Sequence, residues 1–544
     1  MENRNKQYKK TWISGITCLS LLFCGAPLFT SCIDYDNNIN SHMLTDDDLS
    51  KDNLRIGGFF NTMLRDIIPT SDVGANAYQR AQNLTADVFS GFLAPSGAWN
   101  GGNNNATYNL YYHDWNNVAF DNAYTKIMTP WLEISKYTED FPAVRAIADI
   151  AKVLGMHRVS DIYGPIPYSQ FGKSSIGNPY DSQKDVYSQF IEELNKAIDD
   201  LTSFVLNNPG VTLLENYDLI YGGNTTKWVK LGNSLKLRLA MRMSYVNPEL
   251  AKTLAEEAVN HAIGVFTTAD ESAYLGSNKA AGIIYHPLDV LANRQQETKM
   301  SATMESYLKG LKDPRIGSYF TKVQNGEYNG LRIGIPIYAQ IEKGSTAVVD
   351  KSDMVKIMAT SEVFFLRAEG ALNGWNMQGA AEELYNQGIK TSFEEADMFT
   401  SSSVKVLSQV DEYINDRESK PIDYIDNITY SYSFKATSDV TVKWNESDSK
   451  ERKLEKIITQ KWISLFPEGQ EAWSEFRRTG YPKLFPVAVN NSGGTIDTKK
   501  QIRRVVFPKN EYDNNKIEVE KAIKLLESSE GDTGGVQLWW DTKY

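Results

Sequence analysis

A mostly α fold, made of antiparallel helix pairs with a loop-rich second region that carries a few short strands, is predicted by this 544-residue chain. Two observations carry the prediction. Apolar residues recur at the i, i+3, i+4, i+7 spacing of a buried helix face over several long segments, two of them with clear stop signals at Gly164 and Gly374. Between them, 88–118, 265–355 and 416–450 show no helical period, yet they are too rich in aromatics to be disordered.

The first element in chain order is IGGFFNTMLRDII, in which Ile56, Phe59, Phe60, Met63, Leu64 and Ile67 fall on one face. Residues 119–137 and 141–163 form a helical pair; the second ends in DIYGPIPYSQ, where Gly164 can take a left-handed cap and Pro165 and Pro167 cannot continue a helix. Segments 183–202, 226–245 and 248–262 are further amphipathic helices, the second carrying Trp228, Leu231, Leu235, Leu239 and Met243. SEVFFLRAEGALNGW stops near Gly374, and NMQGAAEELYNQGI comes after a three-residue connection. With Met377, Ala380, Ala381, Leu384, Tyr385 and Gly388 on one face, this is a close antiparallel hairpin similar to a tetratricopeptide unit. The alternation in ITYSYSFKATSDVTVKW predicts a strand or two.

The N-terminus has its own logic. Arg4, Lys6, Lys9 and Lys10 precede an apolar run from Trp12 to Phe29, and Thr30 and Ser31 close it. That is the layout of a secretory signal, 1–31. A membrane-spanning helix needs about 20 apolar residues, and Ser14, Gly15, Thr17, Ser20 and Pro27 interrupt this run. Cleavage before Cys32 would make cysteine the first mature residue, which resembles a bacterial lipoprotein signal; Phe29 stands where that pattern usually has Leu. Cys18 and Cys24 leave with the signal, so Cys32 has no disulfide partner within the mature chain. Acylation removes an otherwise exposed thiol and makes Cys32 the expected lipid-attachment site. The alternative is an ordinary signal with a bystander cysteine. Acids at Asp34, Asp36 and Asp46 among many Asn residues make 32–46 a solvated acidic tether. A plain linker and a surface-export tag fit it equally.

The chain carries 57 Lys and Arg against 68 Asp and Glu. Without residues 1–31 the balance is 53 against 67, net −14, which disfavours a nucleic-acid partner.

FFLRAEGALNGW, QKWISLFPEGQEAWSEFRRTGYPKL, RRVVFPKNEY and GGVQLWWD, with WVKLGNSLKLRLAMR, DIYGPIPYSQ and LKDPRI, resemble the SusD/RagB family of nutrient-binding outer-membrane lipoproteins almost from end to end of the mature chain. The resemblance implies about four tetratricopeptide-like helix pairs in one domain, 47–544. The helix-pair scaffold lies mainly in 47–264 and 355–395, the loop-rich region mainly in 265–354 and 396–544. It also implies a lipid-anchored, outward-facing protein that passes oligomeric nutrients to a TonB-dependent outer-membrane barrel of the SusC type. These motifs themselves read as structure: in EAWSEFRRTGYP, Trp473 and Phe476 pack while Arg477 and Arg478 satisfy carbonyls or acids, and RRVVFP and LWWD are pinned against the helices.

Enzyme signatures are absent. His42, His113, His157, His261 and His286 are scattered, with no H-E-x-x-H and no G-x-S-x-G, so neither a metal nor a cofactor is implied. Paired acids such as Glu192/Glu193 sit on helices and point different ways. A hydrolase pair assembled from distant segments, and an adaptor without a ligand, remain as alternatives to a binding module. The binding candidates are in loops. FSGFLAPSGAWNGGNNNATYNLYYHDWNN sets aromatics among Gly and Asn, matching the apolar face and hydroxyl rim of a sugar. Trp99, between Gly97 and Gly101, is the main platform, with Asn100, Tyr112 and Trp115 beside it; Tyr285 and Arg294 come from a second cluster that also includes Tyr274. Glycan is the first ligand class, peptide the second.

Overall fold

The computed structural model describes residues 54–543, apart from 71–73, 98, 111–114, 174–176, 281, 336–342 and 427–428. The signal, the acidic tether, Cys32 and Tyr112 lie outside the described residues.

The fold is mostly α. Helix α1, Leu54–Ile67, buries Phe60, Met63, Leu64 and Ile67, the face its spacing predicts. Helix α2, Val118–Ala123, runs through a π-helical turn, Tyr124–Met128, into α3, Thr129–Lys136. Helix α4, Pro142–Tyr163, ends where Gly164 turns at φ 89°, ψ −114°; this is not the left-handed cap expected, but a region glycine alone enters readily. Helix α5, Gln183–Asn207, starts on Ser182, whose side chain accepts from the Asp185 N–H. Helix α6, Thr225–Arg242, starts on Asn224, and α7, Pro248–Val259, on Asn247, in the same way. Helix α8 is Ala302–Gly310, α9 Thr360–Leu372, α10 Ala381–Phe399, α11 Lys450–Leu465, α12 Gly469–Thr479 and α13 Lys516–Leu525.

Four helix pairs form the scaffold: α1 with α3, α4 with α5, α6 with α7, and α9 with α10. The pairing differs from expectation in one place. Residues 119–137 and 141–163 are expected as a pair, but α3 lies mainly on α1 and α4 mainly on α5. Link length sets only which helices can meet; the buried faces decide which do, and α4 buries nearly its whole circumference. The α9/α10 connection is also longer than three residues, because 373–380 remains irregular and Ala380 serves as N-cap. Within it Met377 is buried, and a Cβ on Gly370 would lie 2.7 Å from its side chain. Across the hairpin, a Cβ on Gly388 would lie 2.8 Å from the Phe365 ring, so glycine there permits the close approach.

The strands are short and few, as expected, and two of them lie in the predicted loop-rich region 265–354, but none lies at 428–444 among the described residues. Strand β1, Leu93–Pro95, pairs antiparallel with β3, Thr298–Met300, in the register Leu93↔Met300 and Pro95↔Thr298. Strand β2, Ala273–Leu275, pairs antiparallel with β4, Val355–Met358. Among the described residues of 428–444 the predicted strand is not formed beyond a single bridge, Tyr424↔Phe434. Its alternation is genuine, since Val440, Val442 and Trp444 are buried. Helix side chains, not a neighbouring strand, take its carbonyls: Lys456 Nζ donates to Thr441 O and Lys443 O, and Tyr385 OH to Val442 O at 2.7 Å.

The main apolar core runs from Phe60 to Trp540. Beside it lies a dense buried ion network. Arg238 grips Glu362 with two hydrogen bonds of 2.7 Å, and Arg242 donates to Glu475 at 2.6 Å and Glu471 at 2.5 Å. Arg478 holds both Glu369 oxygens, at 2.7 and 2.6 Å, and Glu475. Lys461 Nζ stands 3.2 Å from Glu475 and 3.6 Å from Glu471. Arg477, stacked 3.5 Å from the Trp473 ring centroid, donates to the Asp161 and Arg503 carbonyls. The RRTG arginines thus join α4, α9 and α12, as their structural reading expects, and Glu471 and Glu475 of α12 bring in α6 and α11. The RRVVFP and LWWD segments are pinned likewise: Val505 N–H donates to Ile162 O at 2.9 Å, and the fully buried Trp540 donates to Asp161 at 3.0 Å.

Candidate functional site

The candidate site grows from the β1/β3 ribbon. Past Pro95 the Ser96 N–H donates to Glu297 O at 3.0 Å, and its hydroxyl donates to Gln296 O. Residues Trp99–Gly102 then form a tight turn with Asn100 at φ 51° and Gly101 at φ 63°. Asn tolerates this left-handed conformation and Gly adopts it freely, which is why an Asn-Gly pair stands here.

Asn104 organises the rest of the loop. Its Oδ1 accepts from the Ala106 N–H at 2.9 Å and its Nδ2 donates to Trp99 O at 2.9 Å. Thr107 Oγ1 donates to Gly102 O at 2.9 Å, and Asn100 Nδ2 donates to Asn103 O at 2.8 Å. Much of the amide chemistry that the sequence offers to a ligand is therefore spent on making the loop rigid. Asn100 is exposed, and its Oδ1 keeps its acceptor capacity.

The rings divide into two groups. Phe89, Phe92 and Tyr108 are buried in the core. Trp99 and Trp115 are half-buried and meet edge to face, with centroids 6.2 Å apart and planes at 80°. The Trp99 ring lies over Gly97, where a Cβ would come within 2.9 Å of it. Gly97 and Trp115 brace the Trp99 indole, so a ligand stacking on it meets a partly preformed surface.

The second cluster is split in the same way. Tyr274 is buried and stacks on Phe399 at 4.1 Å, which removes it from the candidates. Tyr285 is 42% exposed. His286 is buried, its ring accepting from the Leu288 N–H, and burial pushes its pKa down to about 4. The Arg294 side chain is 54% exposed and ion-paired with Asp289 at 3.0 Å. Arg294 ends the π-helical turn Val290–Arg294, three residues before Glu297, so its turn and the Trp99 loop share one end of the β1/β3 ribbon. Two loops about 200 residues apart in the chain thus converge, which no sequence spacing announces.

Residues 36–541 match the family model described as SusD-like: Susd and RagB outer membrane lipoprotein. The chain belongs to this family. A chitin-binding SusD homolog from Flavobacterium johnsoniae is 38% identical with a TM-score of 0.84, covering 90% of this chain and 99% of its own. A SusD homolog from Bacteroides ovatus ATCC 8483 is 36% identical with a TM-score of 0.81, covering 90% and 100%. A SusD-like protein from Bacteroides thetaiotaomicron VPI-5482 is 33% identical with a TM-score of 0.82, covering 90% and 99%. No curated protein matches the chain. In this SusD-like chain no group of His, Cys, Asp and Glu among the described residues could hold a metal ion, and no described helix is long and apolar enough to cross a membrane.

Proposed function

We propose that the chain is a surface-exposed nutrient-binding lipoprotein that captures oligomeric glycans and delivers them to a TonB-dependent barrel of the SusC type. Its place in the SusD-like family and its likeness to a chitin-binding homologue support a glycan ligand and a binding role without catalysis. Peptide is the second ligand class. On this reading Cys32 is the acylated residue that holds the protein in the outer membrane.

The observation that carries the proposal is the Trp99/Trp115 pair on a loop stiffened by its own Asn and Thr side chains. Two half-buried indoles on a rigid turn offer the apolar C–H face of a sugar a flat partner. Asn100 at the rim, Tyr285 and Arg294 supply polar groups for the hydroxyls, and Tyr112 belongs to the same loop.

The test is calorimetry with a panel of oligosaccharides and peptides, N-acetylglucosamine oligomers first. For a ligand that binds the unmodified protein, Trp99→Ala is expected to lose roughly 1–3 kcal/mol from the lost burial of the ring, about tenfold to hundredfold in affinity. Circular dichroism reports whether the variant is folded. Unchanged affinity in a folded variant moves the site to Tyr285 and Arg294; shortened oligosaccharides after incubation would favour a hydrolase. For the barrel, a gentle detergent extract of tagged protein should bring down one large outer-membrane barrel, and repeated recovery of the lipoprotein alone counts against delivery.

A further inference from the structure

The loop-rich region holds a second, smaller apolar cluster of Ala302, Tyr424 and Phe485, with Phe434 packed on it. A cation is buried in it. Arg332 is 5% exposed, and its guanidinium carbon lies 4.6 Å from the Phe434 ring centroid and 5.6 Å from that of Phe485. Among the described residues it has no carboxylate partner and no hydrogen bond, and its Nε is buried without an acceptor. Among the described residues the other buried arginines all find acceptors, Arg367 and Arg477 on backbone carbonyls. Arg238, Arg242, Arg478 and Arg503 are buried as well, and each holds a carboxylate.

An unpaired guanidinium in an apolar cluster costs stability, because aromatic faces replace only part of the lost hydration. Burial pushes the Arg332 pKa down to about 10, which leaves it charged at neutral pH. The two rings pack against the guanidinium and leave its N–H groups without an acceptor, and a guanidinium's fork of donors suits an oxyanion.

The surroundings connect this cation to the candidate site. Two residues on, a Cβ at Gly334 would lie 3.1 Å from Ala106 O, so the Arg332 segment abuts the loop that carries Trp99. The hydroxyl of Tyr108, on that same loop, lies within reach of both the Arg332 and the Arg503 charges. It also stands 3.5 Å from Gln501, which lines a concavity of about 400 Å³ together with Lys483, Lys499, Lys500 and Arg503. Arg503 is neutralised by Asp541, and the Asp497 carboxylate accepts the backbone N–H groups of Lys499 and Lys500; both lysine side chains are exposed. In a chain of net charge −11, this is a local basic surface beside an unpaired buried cation.

We propose that Arg332 anchors an anion subsite next to the Trp99 loop, taking a carboxylate or sulfate group carried by the captured glycan. The carrier rests on the glycan reading above; the anion rests on Arg332 alone. A negatively charged protein repels an acidic polymer at long range, and a desolvated cation with no internal partner gives that polymer a point of attachment.

Arg332→Met keeps an apolar stem against the Phe434/Phe485 pair and removes the charge. Thermal unfolding in sodium sulfate, against sodium chloride of equal ionic strength, is expected to show a sulfate-specific rise in melting temperature for the unmodified protein and none for Arg332→Met. In calorimetry, a galacturonate oligomer presents carboxylate and a sulfated galactan oligomer presents sulfate. The one that binds is expected to lose about tenfold or more in Arg332→Met, while a neutral N-acetylglucosamine oligomer is unaffected. Three results would overturn the proposal: an equal sulfate effect in both proteins, binding of neither acidic oligomer, or an Arg332→Met variant that melts well below the unmodified protein in chloride. Trp99→Ala separates the two readings: if it leaves all oligosaccharide binding intact, the platform fails while the sulfate result still decides the anion subsite.

Discussion

Arg242→Met is expected to lower the stability of the protein by about 3–5 kcal/mol, the range found when one partner of a buried ion pair is removed. Arg242 is fully buried and donates to Glu475 and Glu471, and its Nε lies 3.3 Å from Asp161. Without it these carboxylates stay desolvated and share fewer cations. Methionine fills much of the volume, so the loss reports charge and not a cavity. The pH dependence has a definite sign. Burial opposes ionisation of Glu475, but Arg478, Lys461 and Arg242 outweigh it and hold the carboxyl well below its ordinary value. A carboxylate depressed in the folded state contributes stability above its unfolded pKa, about 4.3, and that contribution is lost as pH falls through the folded value. With Arg242 removed, the Glu475 carboxyl moves up and the acid loss begins at higher pH. Urea titrations of both proteins across pH 3 to 7 measure this. A difference under about 1 kcal/mol at neutral pH would mean that Lys461 and Arg478 suffice.

Cys32→Ala is expected to move the protein from the membrane fraction to the soluble fraction. No described helix can cross a membrane, so on the lipoprotein reading the acyl chains carry the attachment. Each buried methylene contributes about 0.8 kcal/mol, and several chains hold firmly where one is marginal. Removing the sulfur removes the acylation site, and the change should be close to all-or-none. Intact-mass analysis of the native protein should show Cys32 as the first residue with acyl mass added. A mature protein without that mass, or a Cys32→Ala variant that stays with the membrane, would sink the assignment.

Much of this was legible in the residues alone, for reasons that are local. The face of α1 is visible because Phe60, Met63, Leu64 and Ile67 repeat with the helical period and burial tracks the period. The end of α4 is visible because Gly164, Pro165 and Pro167 act on their immediate neighbours. The aromatic loop at 88–117 stood out by composition, and motifs elsewhere, such as EAWSEFRRTGYP and GGVQLWWD, pointed to the family. Partner choice was not local. That α3 lies mainly on α1 is settled by which buried faces fit, and the short link 137–141 says nothing of that. The alternation at 440–444 marks burial but cannot tell a strand from a segment whose carbonyls are taken by Lys456 and Tyr385.

The same division holds at the site. Sequence by itself determined the helical class, the family and the choice of Trp99 as a candidate platform, because each depends on residue type and near neighbours. Only the tertiary structure decided that Trp115 braces Trp99, that Tyr274 belongs to the core, that Asn104 serves the loop, and that Arg332 is buried without a carboxylate. Those outcomes depend on contacts between distant segments, where packing and desolvation set which polar groups find a partner.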